Sequence, residues 1–125
     1  MRQSQLIQVL SQIKSMTQAA REYHLRGQLW PPARFLGAAP ERHKDNRSDI
    51  YCLGAALLRQ LPGETLHAPQ LPQEAARLLQ QLLARTLCPQ SRGRYGCCEE
   101  LLEDLDRLIL LLSSCPAGNA QRTPP

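Results

Sequence analysis

Histidine and cysteine side chains are the first candidates for chemistry in this chain of 125 residues. Structural zinc requires four such ligands, typically with two cysteines separated by about two to four residues. Cys97 and Cys98 are adjacent, and no histidine lies near them in sequence. A cysteine hydrolase needs a nucleophile, a base and a group that orients the base, and no signature of that set is present. We therefore interpret all eight as core or surface side chains: His24, His43, His67, Cys52, Cys88, Cys97, Cys98 and Cys115.

Phosphate chemistry has different requirements, which the sequence does not meet. Phosphoryl transfer needs a loop over the phosphates, a lysine for the nucleotide, a catalytic aspartate and an Asn and Asp for Mg²⁺. The seven glycines form neither GxGxxG nor GxxxxGK[ST], and Asp-Phe-Gly is absent. Lys14 and Lys44 are the only lysines, and neither follows Val-Ala-x. The Gly93–Gly96 segment has the GxxG form of some RNA-binding loops, but turn formation is the default interpretation. We expect no catalysis, cofactor or metal.

The chain is organised around an apolar helix predicted over residues 48–61. Hydrophobic residues recur there at helical spacing and small residues fill the gaps, so the segment is apolar almost all round. Such a helix belongs in the middle of a domain rather than at its surface. We expect Ser48 or Asp49 to cap its first turn by accepting hydrogen bonds from backbone N–H groups.

Three further helices are predicted from apolar stripes: residues 4–23, a segment from Pro72 to Leu87, and residues 98–113. Residues 25–37 are compatible with a short strand or hairpin around Leu29 and Trp30. Composition supports the helical interpretation, because aromatic residues make up only 4% of the chain and the core must be built from Leu, Ile and Ala. We expect one domain over residues 1–113, followed by a disordered Pro- and Gly-containing tail over residues 114–125.

Charge and hydropathy limit the function classes. The net charge of +4 is too small and too scattered to indicate a nucleic-acid partner. The longest apolar run, residues 108–112, is far shorter than the roughly 20 residues that span a bilayer. No apolar signal segment follows Met1. The odd number of cysteines suits a reducing compartment, so we expect a cytoplasmic protein without a membrane partner.

Three segments, in order, resemble the C-terminal lobe of the protein kinase family. Ala39-Pro40-Glu41 is similar to the Ala-Pro-Glu motif that closes the kinase activation segment. The segment from Ser48 to Gly54, Ser-Asp-Ile-Tyr-Cys-Leu-Gly, resembles the start of the family's central buried helix. The segment from Leu87 to Arg92, Leu-Cys-Pro-Gln-Ser-Arg, resembles the late Leu-x-Asp-Pro-x-x-Arg motif. The resemblance covers roughly residues 34–112 and implies a mainly α, kinase-like C-lobe without the N-lobe.

The resemblance also implies roles for single residues. Glu41 is expected to form an ion pair with the late arginine, which is Arg92 when counted from Pro89 and Arg94 when counted back from the last helix. The alternative is that Glu41 and both arginines are solvated loop charges. Asp49 occupies the position of the kinase aspartate that accepts hydrogen bonds from the catalytic-loop backbone, although here it has the alternative role of a helix cap.

Among kinase-like proteins, the chain looks most like the kinase non-catalytic C-lobe (KIND) domain, a pseudokinase-type module that binds proteins. This resemblance implies a protein partner, an actin-nucleation factor by analogy with other KIND domains. The alternative is a truncated or spliced fragment of an active Ser/Thr kinase. The expected docking surface contains Trp30, Arg34, Phe35, Arg42 and His43, together with the basic turn at Arg92 and Arg94. Trp30 has the alternative of a buried core position.

Overall fold

The structure, a computed structural model, describes residues 3–30, 39–62 and 71–114. Within these ranges it contains four α-helices: α1 (Gln3–Leu25), α2 (Asn46–Gln60), α3 (Gln73–Thr86) and α4 (Cys98–Ser114). A 3₁₀ turn, Ser91–Gly93, lies between α3 and α4. The predicted mainly helical fold class is therefore confirmed. Helices α2 and α4 each contact both α1 and α3, so the four helices surround a shared core.

Helix α2 is buried along most of its length, as the sequence predicts, but Leu58 in its last turn is half exposed. The side chains of Ile50, Leu53 and Leu57 are fully buried. The helix begins two residues earlier than predicted because Asp45 is its N-cap. The Asp45 carboxylate accepts hydrogen bonds from the backbone N–H groups of Arg47 and Ser48, while the Ser48 hydroxyl accepts one from the Asp45 N–H. This reciprocal capping box satisfies donors at the start of the helix. The N-cap is therefore Asp45, Ser48 takes part as the third helical residue of the box, and Asp49 does not cap the helix.

Helices α1 and α4 pack along their predicted apolar stripes. The buried aliphatic side chains are Leu6, Leu10, Ile13, Leu101, Leu105, Leu108 and Leu112. Two buried polar residues of α1 were not anticipated. The Thr17 hydroxyl donates to the backbone carbonyl of Ile13, and the Gln3 amide donates to the carbonyl of Leu112. The Thr17 hydroxyl and the Gln3 Nε2 group thus enter the core with a backbone partner, which lowers the cost of burying these donors.

The ends of the elements differ from the predictions in two places. Helix α1 extends to Leu25, and the described part of the 25–37 segment, residues 25–30, contains a turn and irregular backbone rather than a strand. Gly27 has a φ of 73°, and the N–H groups of Gly27 and Gln28 donate to the carbonyls of His24 and Tyr23. This Schellman-type arrangement ends α1 and favours glycine at the left-handed position.

The C-terminal boundary of the predicted domain also differs from the structure. Ser114 belongs to α4, and the remaining residues of the predicted tail, 115–125, lie outside the described residues. Across the described ranges, no helix combines the length and the hydropathy needed to cross a bilayer.

Candidate functional site

The candidate site is built where the loop of residues 39–45 meets the turn of residues 88–96. The loop immediately precedes α2, and the turn joins α3 to α4. Ala39 is buried at the start of the loop, whereas Pro40 is exposed. Glu41 turns back toward α2, where its Oε2 accepts a hydrogen bond of 2.6 Å from the Ser48 hydroxyl. The two segments are joined by charged side chains rather than by a shared sheet or helix.

Arg94 makes the central contact of this site. Its side chain is fully buried, and its guanidinium donates to both carboxylate oxygens of Glu41 at 2.7 and 2.8 Å. Three backbone carbonyls, those of Arg47, Cys88 and Pro89, accept its remaining hydrogen bonds at 3.0, 2.8 and 3.3 Å. The guanidinium carbon lies 4.9 Å from the centre of the Tyr51 ring. This planar, bidentate geometry with backbone partners is suited to Arg and not to Lys.

The contact with Arg94 is the main influence on the pKa of Glu41. The hydrogen bonds from Arg94 lower the pKa of Glu41 from 4.5 to about 2. The Glu41 side chain remains 20% exposed, so the pair is partly accessible to water. The pair is therefore ionised at neutral pH and connects the loop before α2 to the turn before α4.

Of the two arginines left open by the sequence, the structure pairs Arg94 with Glu41. Arg92 lies in the 3₁₀ turn and is exposed. The neighbouring Tyr95 explains how the turn is oriented: its ring is fully buried and its hydroxyl donates to Asp104 at 2.5 Å. Burial and this hydrogen bond raise the pKa of the Tyr95 hydroxyl. The two inner residues of the Gly93–Gly96 segment therefore face the protein interior, which agrees with turn formation and not with an open GxxG loop.

Asp49 forms a second junction in the first turns of α2. It is 2% exposed, and its Oδ2 accepts a hydrogen bond of 2.8 Å from the backbone N–H of Trp30. The same oxygen lies 2.7 Å from Nε2 of His24. Since Asp45 caps the helix, the carboxylate of Asp49 serves to hold the segment that follows α1. Of the two roles considered for Asp49, helix cap and acceptor of hydrogen bonds from loop backbone, the structure shows the second.

His24 extends this junction to α4, a contact that the sequence did not predict. The Sγ atom of Cys98 lies 3.5 Å from Nδ1 of His24. A cavity of about 550 Å³ opens beside them and is also lined by Arg21 and Lys44. The order thiol, imidazole, carboxylate is that of a cysteine hydrolase. However, Cys98 is 1% exposed, and burial together with the charge of Asp49 raises the pKa of its thiol to about 12. The thiol is protonated at neutral pH, so we assign it a packing and hydrogen-bonding role.

Gly54 allows α2 and α3 to approach closely. A Cβ atom built on Gly54 would lie 2.5 Å from the Cβ of Thr86 and would also overlap the Thr86 hydroxyl oxygen. Thr86 is fully buried, and its hydroxyl donates to the carbonyls of Leu82 and Leu83. The Thr86 side chain is thereby fixed in place, and only the absence of a side chain at position 54 leaves room for it.

The expected docking surface is partly corrected by the structure. Trp30 is 7% exposed and belongs to the hydrophobic core, and Arg94 is buried against Glu41, so neither residue contributes to a docking surface. Arg42 and His43 are exposed in the loop beside Glu41. Arg34 and Phe35 lie outside the described residues. Among the described residues, no group of three or more His, Cys, Asp and Glu side chains is arranged to hold a metal ion.

Comparison of the chain with protein-family models, curated protein sequences and solved structures found no match.

Proposed function

We propose that the chain is a non-catalytic, kinase-like C-lobe that functions as a protein-binding or regulatory module. The observation that carries this proposal is the bidentate Glu41–Arg94 pair. It joins the Ala-Pro-Glu-like segment to the turn before the last helix, two segments that the kinase resemblance pairs on independent grounds. The pair also lies against the first turn of the buried α2, where Ser48 contacts the same carboxylate.

The contacts of Asp49 support the same proposal. In the kinase resemblance, the aspartate of the central helix holds loop backbone, and here Asp49 accepts from the Trp30 N–H. The chain contains none of the motifs that phosphoryl transfer requires. A lobe that keeps these junctions but lacks the motifs for phosphoryl transfer can still bind other proteins through its surface loops. Arg42 and His43 are the exposed residues of that kind next to the Glu41–Arg94 pair.

Nucleotide binding tests the non-catalytic part of the proposal. We expect Mg-ATP to leave the melting temperature of the purified chain unchanged, because a ligand raises stability only when it binds the folded state. A rise of several degrees would contradict the proposal. A transcript that encodes a nucleotide-binding lobe in frame with this chain would instead favour the alternative of an active Ser/Thr kinase.

Protein binding is tested by reconstitution. Proteins captured by the immobilised chain are identified by mass spectrometry, purified and measured again with the Arg42→Ala/His43→Ala variant. We expect direct binding that weakens in this variant. Arg77→Ala, which changes an exposed arginine on α3, is the control. Failure of purified candidates to bind, or equal weakening by the control, would contradict a docking role for this loop.

A further inference from the structure

The exposed surface around the Glu41–Arg94 pair is rich in basic side chains. Arg42, His43 and Lys44 follow Glu41 in the loop, and Arg92 precedes Arg94 in the turn; all four residues are exposed. The Glu41–Arg94 pair and the Arg94 hydrogen bond to the Arg47 carbonyl bring these two segments together. We call the exposed residues Arg42, His43, Lys44 and Arg92 the basic rim.

Three acidic side chains lie beside the basic rim: Glu41, which is partly buried, and Asp45 and Glu100, which are exposed. Both oxygens of Glu41 accept from Arg94. The carboxylate of Asp45 accepts from two backbone N–H groups at the start of α2. Glu100 accepts from the backbone N–H of Gly96. Arg94 balances the charge of Glu41, whereas the N–H partners of Asp45 and Glu100 leave the charges of these two carboxylates in place. The three exposed cations Arg42, Lys44 and Arg92 still outnumber these two exposed carboxylates.

Lys44 adds to this imbalance. Among the residues that the structure describes, its ammonium donates to the backbone carbonyls of Ala39 and Glu41 and to no carboxylate. Carbonyl partners hold the ammonium in position but do not neutralise its charge. An acidic ligand that approaches the rim therefore meets the positioned ammonium of Lys44 together with the guanidinium groups of Arg42 and Arg92. Guanidinium and ammonium groups favour the binding of carboxylates.

We propose that the basic rim binds an acidic segment of a protein partner, one rich in Glu and Asp. This inference rests on the proposed protein-binding function and adds the chemistry of the partner. Charge complementarity is the observation that selects this occupant. Nucleic acid is disfavoured because the rim consists of one short loop and one turn, and the net charge of the chain is only +4.

The test measures binding of a fluorescent Glu- and Asp-rich peptide to the full chain by anisotropy. The control peptide carries Gln and Asn in place of Glu and Asp. We expect the acidic peptide to bind and the control peptide not to bind. The affinity for the acidic peptide should fall as the salt concentration rises, because salt screens the electrostatic attraction. Single-stranded RNA and anionic lipid vesicles are measured in parallel, and binding of either one as tightly as the peptide would overturn the choice of partner.

Two matched charge reversals locate the site. Arg42→Glu/Arg92→Glu reverses the rim, and Arg59→Glu/Arg77→Glu reverses two exposed arginines elsewhere on α2 and α3. Each variant changes the net charge from +4 to zero. We expect the rim variant to bind the peptide at least roughly tenfold more weakly, since like charges now face each other, and the control variant to bind nearly as the wild type does. Urea denaturation verifies that both variants are folded.

The outcomes separate this inference from the proposed function. Absence of peptide binding, or equal loss in both variants, overturns the acidic-segment proposal. If a reconstituted protein partner binds Arg42→Ala/His43→Ala more weakly than the wild type but the acidic peptide does not bind, the proposed function stands and only the partner chemistry is wrong. A rise in melting temperature with Mg-ATP contradicts the proposed function itself and leaves the peptide result unaffected.

Discussion

Replacing Glu41 by Gln removes one charge from the pair that joins the two halves of the candidate site. The substitution keeps the size of the side chain and leaves the Arg94 guanidinium, which is fully buried, without a carboxylate. Breaking a buried ion pair by removing one partner costs about 3–5 kcal/mol. Three carbonyl partners of Arg94 remain in the variant, and water reaches the exposed fifth of the Glu41 side chain, so the cost lies toward the lower end of that range.

The pKa of Glu41 leads to a similar magnitude. A fall from 4.5 in the unfolded chain to about 2 in the folded chain corresponds to about 3 kcal/mol at ~1.4 kcal/mol per pH unit. Solvent screening at the exposed edge reduces this figure to about 2 kcal/mol. We therefore expect Glu41→Gln to lower the free energy of unfolding by about 2–3 kcal/mol at pH 7, a substantial part of the roughly 5–15 kcal/mol typical of a domain.

The sign of the pH dependence follows from the direction of the pKa change. Because the folded-state pKa lies below the unfolded-state value, the stabilisation by ionised Glu41 is fully present above about pH 4.5. It is lost progressively as the pH falls toward about 2. The difference between wild type and Glu41→Gln should therefore be constant from pH 7 to pH 5 and shrink to about half by pH 3.

Urea denaturation followed by far-UV circular dichroism measures these differences. Glu103→Gln, which removes an exposed carboxylate on α4, is the matched control and should change the free energy of unfolding by at most about 0.5 kcal/mol. The reasoning is refuted if Glu41→Gln has the effect of the control at pH 7. It is also refuted if the difference between Glu41→Gln and wild type does not diminish between pH 5 and pH 3.

Three further predictions concern the other junctions of the structure. Gly54→Ala should lower the free energy of unfolding by about 1–3 kcal/mol, since the new methyl group overlaps the buried Thr86; an unchanged urea midpoint would contradict the close approach of α2 and α3. Asp49→Asn should lower stability by about 1–3 kcal/mol and speed hydrogen exchange at the Trp30 amide, because the bond from that N–H to a carboxylate is weakened; unchanged protection of this amide would exclude the contact. The Cys98 thiol should resist iodoacetamide in the folded chain and react on unfolding, because it is 1% exposed and its pKa is raised to about 12; mass spectrometry that finds equal labelling in both states would refute its burial.

Local patterns in the sequence account for much of the fold. The apolar residues of α2 and α4 repeat at the helical period, so their buried faces follow from the order of residues alone. The start of α2 was misplaced although a local signal exists. Asp45 and Ser48 are three positions apart, as the two residues of a capping box are, and the extended backbone at Asp45 in the folded chain makes this residue the N-cap.

The side-chain partners at the site required the folded chain. Arg92 and Arg94 are equivalent candidates by residue type and differ by two positions, but burial of Tyr95 orients the turn so that Arg94 points inward. Likewise, nothing in the spacing of His24, Asp49 and Cys98 indicates that they meet. Helical periodicity is a property of near neighbours and can be read along the chain, whereas the meeting of residues that are tens of positions apart is decided by how the helices pack.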